Sequence, residues 1–257
     1  MEFYKYHGTG NDFILVDNRD GNISLSQEQV AHLCHRRFGI GADGLMLLEH
    51  ADGYDFRMVY YNSDGGESTM CGNGGRCITA FAAMLGLVDH KTRFVAIDGE
   101  HHATIHPDGL VSLHMIDVTG VERKEDHCIL NTGSPHYVQW VKDTNAVNVF
   151  NEGKNIRTQP QFMPAGINVN FVQVIEGNQL KVRTYERGVE DETMSCGTGV
   201  TAAAIAASGN NTGIFATNIE TPGGLLQVSF IKDDANSARD VILTGPAVFV
   251  FRGSVTL

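Results

Sequence analysis

This 257-residue sequence predicts an α/β fold of two pseudo-symmetric units, each with strands wrapped round a central buried helix. Three observations carry that prediction. Short motifs recur at a fixed offset of 196 − 71 = 125 residues: Tyr60 with Tyr185, Glu67 with Glu192, Cys71 with Cys196, Gly72 with Gly197 and Gly74 with Gly199. Each recurring cysteine opens a helix-prone run of small and apolar residues, Ile78–Ala83 after the first and Thr201–Ala207 after the second. A helix with no polar face is usually buried, so each run is expected at the centre of its own unit. The remaining segments are mostly strand-like.

Element by element, Phe13–Val16, Leu45–Leu48, Phe56–Tyr60 and Phe171–Ile175 are apolar or β-favouring runs ended by Asp, Asn or Gly, as strands are. Ser26 and Gln29 form a capping-box pattern ahead of Val30, Leu33 and Phe38, marking an amphipathic surface helix. Gly86 and Gly209 are the expected helix stops. The recurrence also matches Gly41-Ala42-Asp43 with Gly166-Ile167-Asn168 and Gly99 with Gly224, while Thr9-Gly10 pairs with Thr132-Gly133 at a slightly shorter offset of 123. A duplicated unit explains this pattern; a short-period solenoid does not. Val118–Asp126 and Asn131–Pro135 carry turn and charge residues suited to a connection, which places the boundary near residue 117.

Composition narrows the function. A net charge of −11 leaves no basic face for nucleic acid or an anionic membrane. Met1–Gly10 shows no charged-then-apolar leader, and no apolar run approaches the roughly 20 residues that span a bilayer, so the expected location is cytoplasmic. Five cysteines without CxxC spacing suit reduced thiols better than a disulfide framework, and Cys34, Cys77 and Cys128 read as small buried hydrophobes. Gly39–Gly44 matches G-x-G-x-x-G, but the fingerprint needs a strand before it and a helix after, whereas here the order is reversed. His32, Cys34 and His35 lie on one short helix at a spacing that common tetrahedral metal sites do not use. No metal is expected.

Cys71 and Cys196 are the chemical centre of the sequence. At a helix N-terminus, unsatisfied backbone N–H groups and the positive end of the dipole favour a thiolate and can also hold a substrate carboxylate. Two thiolates on either side of one carbon would repel, so one ionises while the other keeps its proton. That protonation state inverts a stereocentre: one sulfur removes the α-hydrogen and the other returns a hydrogen from behind.

Taken with His7–Phe13, Tyr61–Gly65, Met70–Gly74, Gly133–His136, Tyr185–Gly188 and Cys196–Gly199, these motifs resemble diaminopimelate epimerase over essentially the whole chain. The resemblance implies two strand barrels, each round a central helix, with the final strand returning to the first domain. The domains would then be residues 1–117 with 246–257, and residues 118–245. It also implies cofactor-independent interconversion of LL- and meso-2,6-diaminopimelate in lysine and peptidoglycan precursor synthesis, by a homodimer. Cys71 and Cys196 would be the paired acid and base, with Glu186 and His136 beside the reacting centre. Backbone N–H groups of Gly72, Asn73, Gly197 and Thr198 would bind the reacting carboxylate, while Asn11, Asn62, Asn168 and Arg187 would recognise the distal amino-acid end. Ser134 stands where the family often has Asn, a shorter hydroxyl in place of an amide.

Three rivals remain at this stage. A proline-type racemase also uses two cysteines but resembles MCGHG at the first, against Asn73 here. A cysteine hydrolase would use Cys196 as nucleophile and His136 as base, leaving Cys71 without purpose. A thiol redox protein predicts a reversible disulfide and no α-hydrogen exchange.

Overall fold

The computed structural model describes residues 1–257. The chain divides into two compact units, residues 1–113 with 245–257 and residues 114–244, against the sequence-based boundary near 117.

The first unit runs β1 (Glu2–Gly8), β2 (Asn11–Asp17), α1 (Gln27–Cys34), β3 (Gly44–Glu49), β4 (Phe56–Asn62), β5 (Glu67–Ser68), α2 (Gly72–Met84), β6 (Lys91–Ala96), β7 (Gly99–Ile105) and β8 (Val111–His114). β1 and β2 form a hairpin closed by Thr9-Gly10, both with positive φ (49° and 84°), the turn geometry that follows the twist of the strands. Two crossovers then set the topology. β2 pairs parallel to β3 through α1, and β4 pairs parallel to β6 through α2; parallel neighbours need such a crossover. The antiparallel pairs β3–β4, β6–β7 and β7–β8 complete the sequence, and β5 lies beside β4.

The two helices play different parts. α1 begins with the expected reciprocal Ser26–Gln29 capping box and packs Val30, Leu33 and Cys34 against Ile14, Val16, Leu45 and Leu47. α2 instead lies against β1, β2, β3 and β7, and its residues from Gly72 to Thr79 are all buried. Strands between these two helices are covered on both faces, so Phe13–Val16 is apolar at every position and essentially inaccessible. Phe38, which the sequence pattern assigned to α1, lies beyond its end and is 75% exposed. The helix stops at Cys34, and His35 turns back to donate its N–H to the His32 carbonyl. Gly86 has φ +72°, the left-handed conformation that ends α2.

The second unit repeats this plan. It comprises β9 (Val121–Arg123), β10 (His127–Asn131), β11 (Pro135–Trp140), α3 (Val149–Arg157), β12 (Asn168–Val174), β13 (Gln179–Glu186), β14 (Asp191–Thr193), α4 (Gly197–Ala207), β15 (Gly213–Thr221), β16 (Gly224–Lys232) and β17 (Arg239–Gly245). β11 is parallel to β12 across α3, β13 is parallel to β15 across α4, and the remaining neighbours are antiparallel. α4 contacts β10, β11, β12, β13, β15 and β16, so the strands wrap round it. Its Val200, Ala202–Ile205 face the main core with Val138, Val172, Val182, Val228 and Leu243. Gly209 (φ +59°) ends the helix.

β9 falls inside Val118–Asp126, which the sequence marks only as a connection. It pairs with β10 as the first strand of its unit. The strand equivalent to β9 in the first unit comes from the far end of the chain: β18 (Val248–Ser254) pairs antiparallel with β1. The Met1 ammonium donates to the Val255 carbonyl at 2.7 Å, and the Val255 N–H donates to the Met1 carbonyl at 2.9 Å.

Candidate active site

Each buried helix starts at one of the two motif cysteines. Cys71 is the N-cap of α2, with extended backbone (φ −104°), and its Sγ accepts the Gly74 N–H at 3.2 Å. Cys196 is the N-cap of α4 (φ −117°), with Sγ 3.5 Å from Thr198 Oγ1. The glycine three residues on is closely packed in both helices, most severely in α4. A Cβ at Gly74 would lie 3.1 Å from Cys71 Sγ, and one at Gly199 would lie 2.3 Å from Asn170 Oδ1. Both first turns present backbone N–H groups of the residues assigned to carboxylate binding, Gly72, Asn73, Gly197 and Thr198.

Round Cys71 the polar groups form a continuous network. Asn73 donates from Nδ2 to Asn11 Oδ1 at 3.2 Å, and its Oδ1 accepts from Arg76 Nη2 at 2.9 Å and Thr9 Oγ1 at 3.4 Å. Asn11 in turn donates to Asp43 Oδ2 at 2.7 Å. Behind it, Arg36 bridges Asp12 and Asp43 at 2.7 Å each, and Lys5 meets Asp12 at 2.6 Å. Burial works to raise the Asp12 pKa, but Arg36 and Lys5 outweigh it and hold the carboxyl down near 2. Thr9, buried in this network, keeps its side chain at the site in a left-handed conformation that a β-branched residue rarely adopts. Asn62 is exposed at the end of β4, paired with Gly44 next to Asp43, and its backbone N–H donates to the Gly66 carbonyl at 2.9 Å.

The second unit places His136, Ser134, Thr198 and Asn168 together. His136 Nε2 lies 2.9 Å from both Ser134 Oγ and Thr198 Oγ1, and these hydroxyls are 3.2 Å apart. Asn168 donates to Ser134 Oγ at 3.1 Å and accepts the Arg187 N–H at 2.8 Å, so one asparagine ties β11 to the end of β13. Thr132 fixes the turn by donating to the Thr198 carbonyl at 2.8 Å. Ser134 thus occupies the middle of this cluster. The Arg187 guanidinium makes one hydrogen bond, to the Ala165 carbonyl at 3.4 Å, and is half-buried. Glu186 closes β13 beside it, opposite Asp191.

His136 is fully buried, and burial, reinforced by the Arg187 cation, pushes its pKa down to about 3. It is therefore neutral at ordinary pH. Its tautomer follows from Asn170, which the sequence reading passed over. The Asn170 amide donates to the Tyr137 carbonyl at 3.2 Å, and its Oδ1 accepts from Thr184 Oγ1 at 3.0 Å; this orientation points the NH2 at His136 Nδ1, 3.0 Å away. Nδ1 must accept, so the proton sits on Nε2 and is donated to the Ser134–Thr198 pair. The available signal was a polar residue inside the otherwise apolar Val169-Asn170-Phe171 run.

Cys34 shows the contrasting case of an inert thiol. It is buried under α1, and burial pushes its pKa up to about 12. His32 and His35 flank it on the surface, the His35 ring tilted against Phe38 with ring centres 4.7 Å apart.

Comparison with known proteins places these features in a family. A family model described as Diaminopimelate epimerase matches residues 3–120 and 128–250. A protein named diaminopimelate epimerase from Flavobacterium psychrophilum is 51% identical, over 99% of this chain and 100% of the relative. Among solved structures, a phenazine biosynthesis protein of the PhzF family from Bacillus anthracis superposes with a TM-score of 0.77 at 14% identity, covering 100% of this chain and 99% of that one. A probable proline racemase from Agrobacterium radiobacter gives a TM-score of 0.67 at 16% identity, covering 100% and 93%. Those two likenesses establish the two-unit α/β fold. With helix-capping cysteines in both halves, full-length similarity and a family model spanning nearly every element, the chain belongs to the diaminopimelate epimerase family.

Proposed function

We propose that this protein interconverts LL- and meso-2,6-diaminopimelate by a two-base thiol mechanism, a reading carried by the two cysteine N-caps on equivalent buried helices. A thiolate at one cysteine takes the α-hydrogen as a proton, and the thiol at the other delivers its proton to the opposite face. The α-carbon changes configuration, and the two sulfurs exchange protonation states. Charge moving onto the substrate carboxylate is stabilised by N–H groups of Gly72, Asn73, Gly197 and Thr198, donors that are already aligned before reaction.

His136 serves in this scheme as a neutral donor through Thr198 and Ser134. A histidine held neutral by burial is a poor general base near neutral pH, which weighs against a cysteine hydrolase. Glu186 orients the reacting amino group. Arg187 takes the distal carboxylate on its planar fork, with Asn11, Asn62 and Asn168 supplying amide donors and acceptors for the distal end. A proline-type racemase needs no such set. The product supplies lysine and peptidoglycan precursor synthesis in the cytoplasm, and the working form is a homodimer.

Incubation with LL-diaminopimelate in D2O tests the reading. The wild-type protein is expected to incorporate α-deuterium and form the meso isomer, while Cys71→Ala and Cys196→Ala lose epimerisation. Substantial turnover by either folded single variant, without added thiol, would overturn the two-base scheme.

A further inference from the structure

The two half-sites satisfy the same backbone acceptor in the first turn of the helix but differ in charge. Arg76 stands near the start of α2 with its side chain folded back toward the helix N-terminus, and it is 0% exposed. Its Nη1 donates to the Gly72 carbonyl at 3.1 Å, Nη2 to Asn73 Oδ1 at 2.9 Å and Thr9 Oγ1 at 3.4 Å, and Nε to the Pro246 carbonyl at 3.3 Å. All four acceptors are neutral. At the 125-residue offset, 76 + 125 = 201, the second unit has Thr201, whose hydroxyl donates to the Gly197 carbonyl at 2.9 Å. The same backbone acceptor is satisfied in both helices, but only the first contains a cation.

That cation is in a doubly unfavourable place. A buried charge needs a partner of opposite sign, and the positive end of a helix dipole repels it further. Burial pulls the Arg76 pKa down, while negative charge on Cys77 or Cys71 would push it back up. Cys77 cannot supply that charge, because complete burial drives its own pKa far up and keeps it a thiol. The other titratable groups around this segment are Tyr6 on β1, pushed up to about 12 by burial, and Asp98 with His101 at the β6–β7 turn, where Asp98 accepts the Met70 N–H at 3.2 Å. Asp98 is engaged with Met70 and His101 and forms no ion pair with Arg76.

We propose that Arg76 is the counter-charge that makes Cys71 the resting thiolate, so that Cys196 is the resting thiol and the enzyme begins each first turnover polarised in one direction. Arg76 acts here as a positioning residue through its charge, and the inference rests on the two-thiol reading above. After a turnover that leaves Cys71 a thiol and Cys196 a thiolate, Arg76 is without its anion, which favours loss of the Cys71 proton and protonation of Cys196, restoring the starting form.

Ultraviolet thiolate absorbance, measured against pH without substrate, tests this separately from epimerisation. Burial pushes the pKa of Cys34, Cys77 and Cys128 up, so under the proposal the thiolate signal at moderate pH is expected from the two motif cysteines. In Cys196→Ala, Cys71 is expected to be largely thiolate near neutrality; in Cys71→Ala, Cys196 is expected to ionise at least about tenfold less readily. Adding Arg76→Met to Cys196→Ala is expected to weaken Cys71 ionisation by about tenfold or more, and Arg76→Lys, which keeps the charge but loses the fork, to restore most of it. Equal ionisation of the two cysteines, or an unchanged Cys71 in folded Arg76→Met, would overturn the proposal. If Arg76→Met does not fold, comparison of the two cysteine variants decides alone, and Cys196 ionising first or equally would refute it. Loss of deuterium exchange with these titrations intact would instead refute the two-base reading.

Discussion

Acid should destabilise this protein well before its carboxylates protonate, because of one buried imidazole. His136 has an ordinary pKa of 6.5 when unfolded and about 3 in the folded chain. Between those values the unfolded state binds a proton that the folded state refuses, so stability rises with pH and is lost as pH falls from about 6.5 toward 3. Each pH unit in that window is worth about 1.4 kcal/mol, giving a loss of about 2 kcal/mol by pH 5 and up to about 5 kcal/mol by pH 3. Asp12 acts in the same direction, but its stabilisation is lost only as pH falls below its ordinary 3.8 toward 2. Urea unfolding at a series of pH values between neutral and about 5, on wild type and His136→Gln, isolates the imidazole. The variant is expected to be less stable at neutrality by roughly 1–3 kcal/mol, from the hydrogen bonds left unmade. That deficit should shrink by about 2 kcal/mol at the acid end. A constant deficit would show that His136 titrates alike in both states, and the burial argument would fail.

Three further outcomes follow from the same geometry. Gly199→Ala puts a Cβ 2.3 Å from Asn170 Oδ1, so Asn170 must move; a stability loss of about 1–3 kcal/mol and an at least tenfold fall in deuterium exchange are expected, and an unperturbed melting curve would refute the close approach. Asn170→Asp supplies an acceptor where a donor stood, and nitrogen NMR should show the His136 proton transferred from Nε2 to Nδ1; an unchanged tautomer would show that Asn170 does not set it. Arg187→Lys should weaken diaminopimelate binding by about tenfold or more, since a point charge cannot replace a planar fork, and an equal Kd by calorimetry would place the distal carboxylate elsewhere.

Much of the scaffold was readable because the repeat preserves residue chemistry where backbone geometry is tight. Gly74 and Gly199 recur where helix, sulfur and neighbouring strand leave little space, and buried helices reveal themselves by lacking a polar face. Short edge elements carry less of this signal. β9 has only Val121 buried, after Gly120 and ahead of Glu122 and Arg123, so it reads as a connection. Phe38 obeys helical spacing, yet the chain has already turned away at His35. Asn170 and Arg76 were visible as polar residues in apolar runs, but their roles depend on partners distant in sequence, Tyr137 and Thr184 for the first and Thr9 and Pro246 for the second. Thr198 was legible by its motif; its contact with His136 required β11 to be placed beside α4.

The tie between Met1 and Val255 bears on how such a chain arose and how it is made. With β18 counted before β1, the strands of the first unit follow one another in the same order and the same parallel or antiparallel sense as β9 to β17. The chain thus has the layout of a tandem repeat whose opening strand stands at the other end. The first unit, although synthesised first, therefore cannot close until the last residues of the chain have been made. A permuted chain that starts at residue 245, with a short linker from Leu257 to Met1, would make both repeats continuous and let each mature in the order of its synthesis.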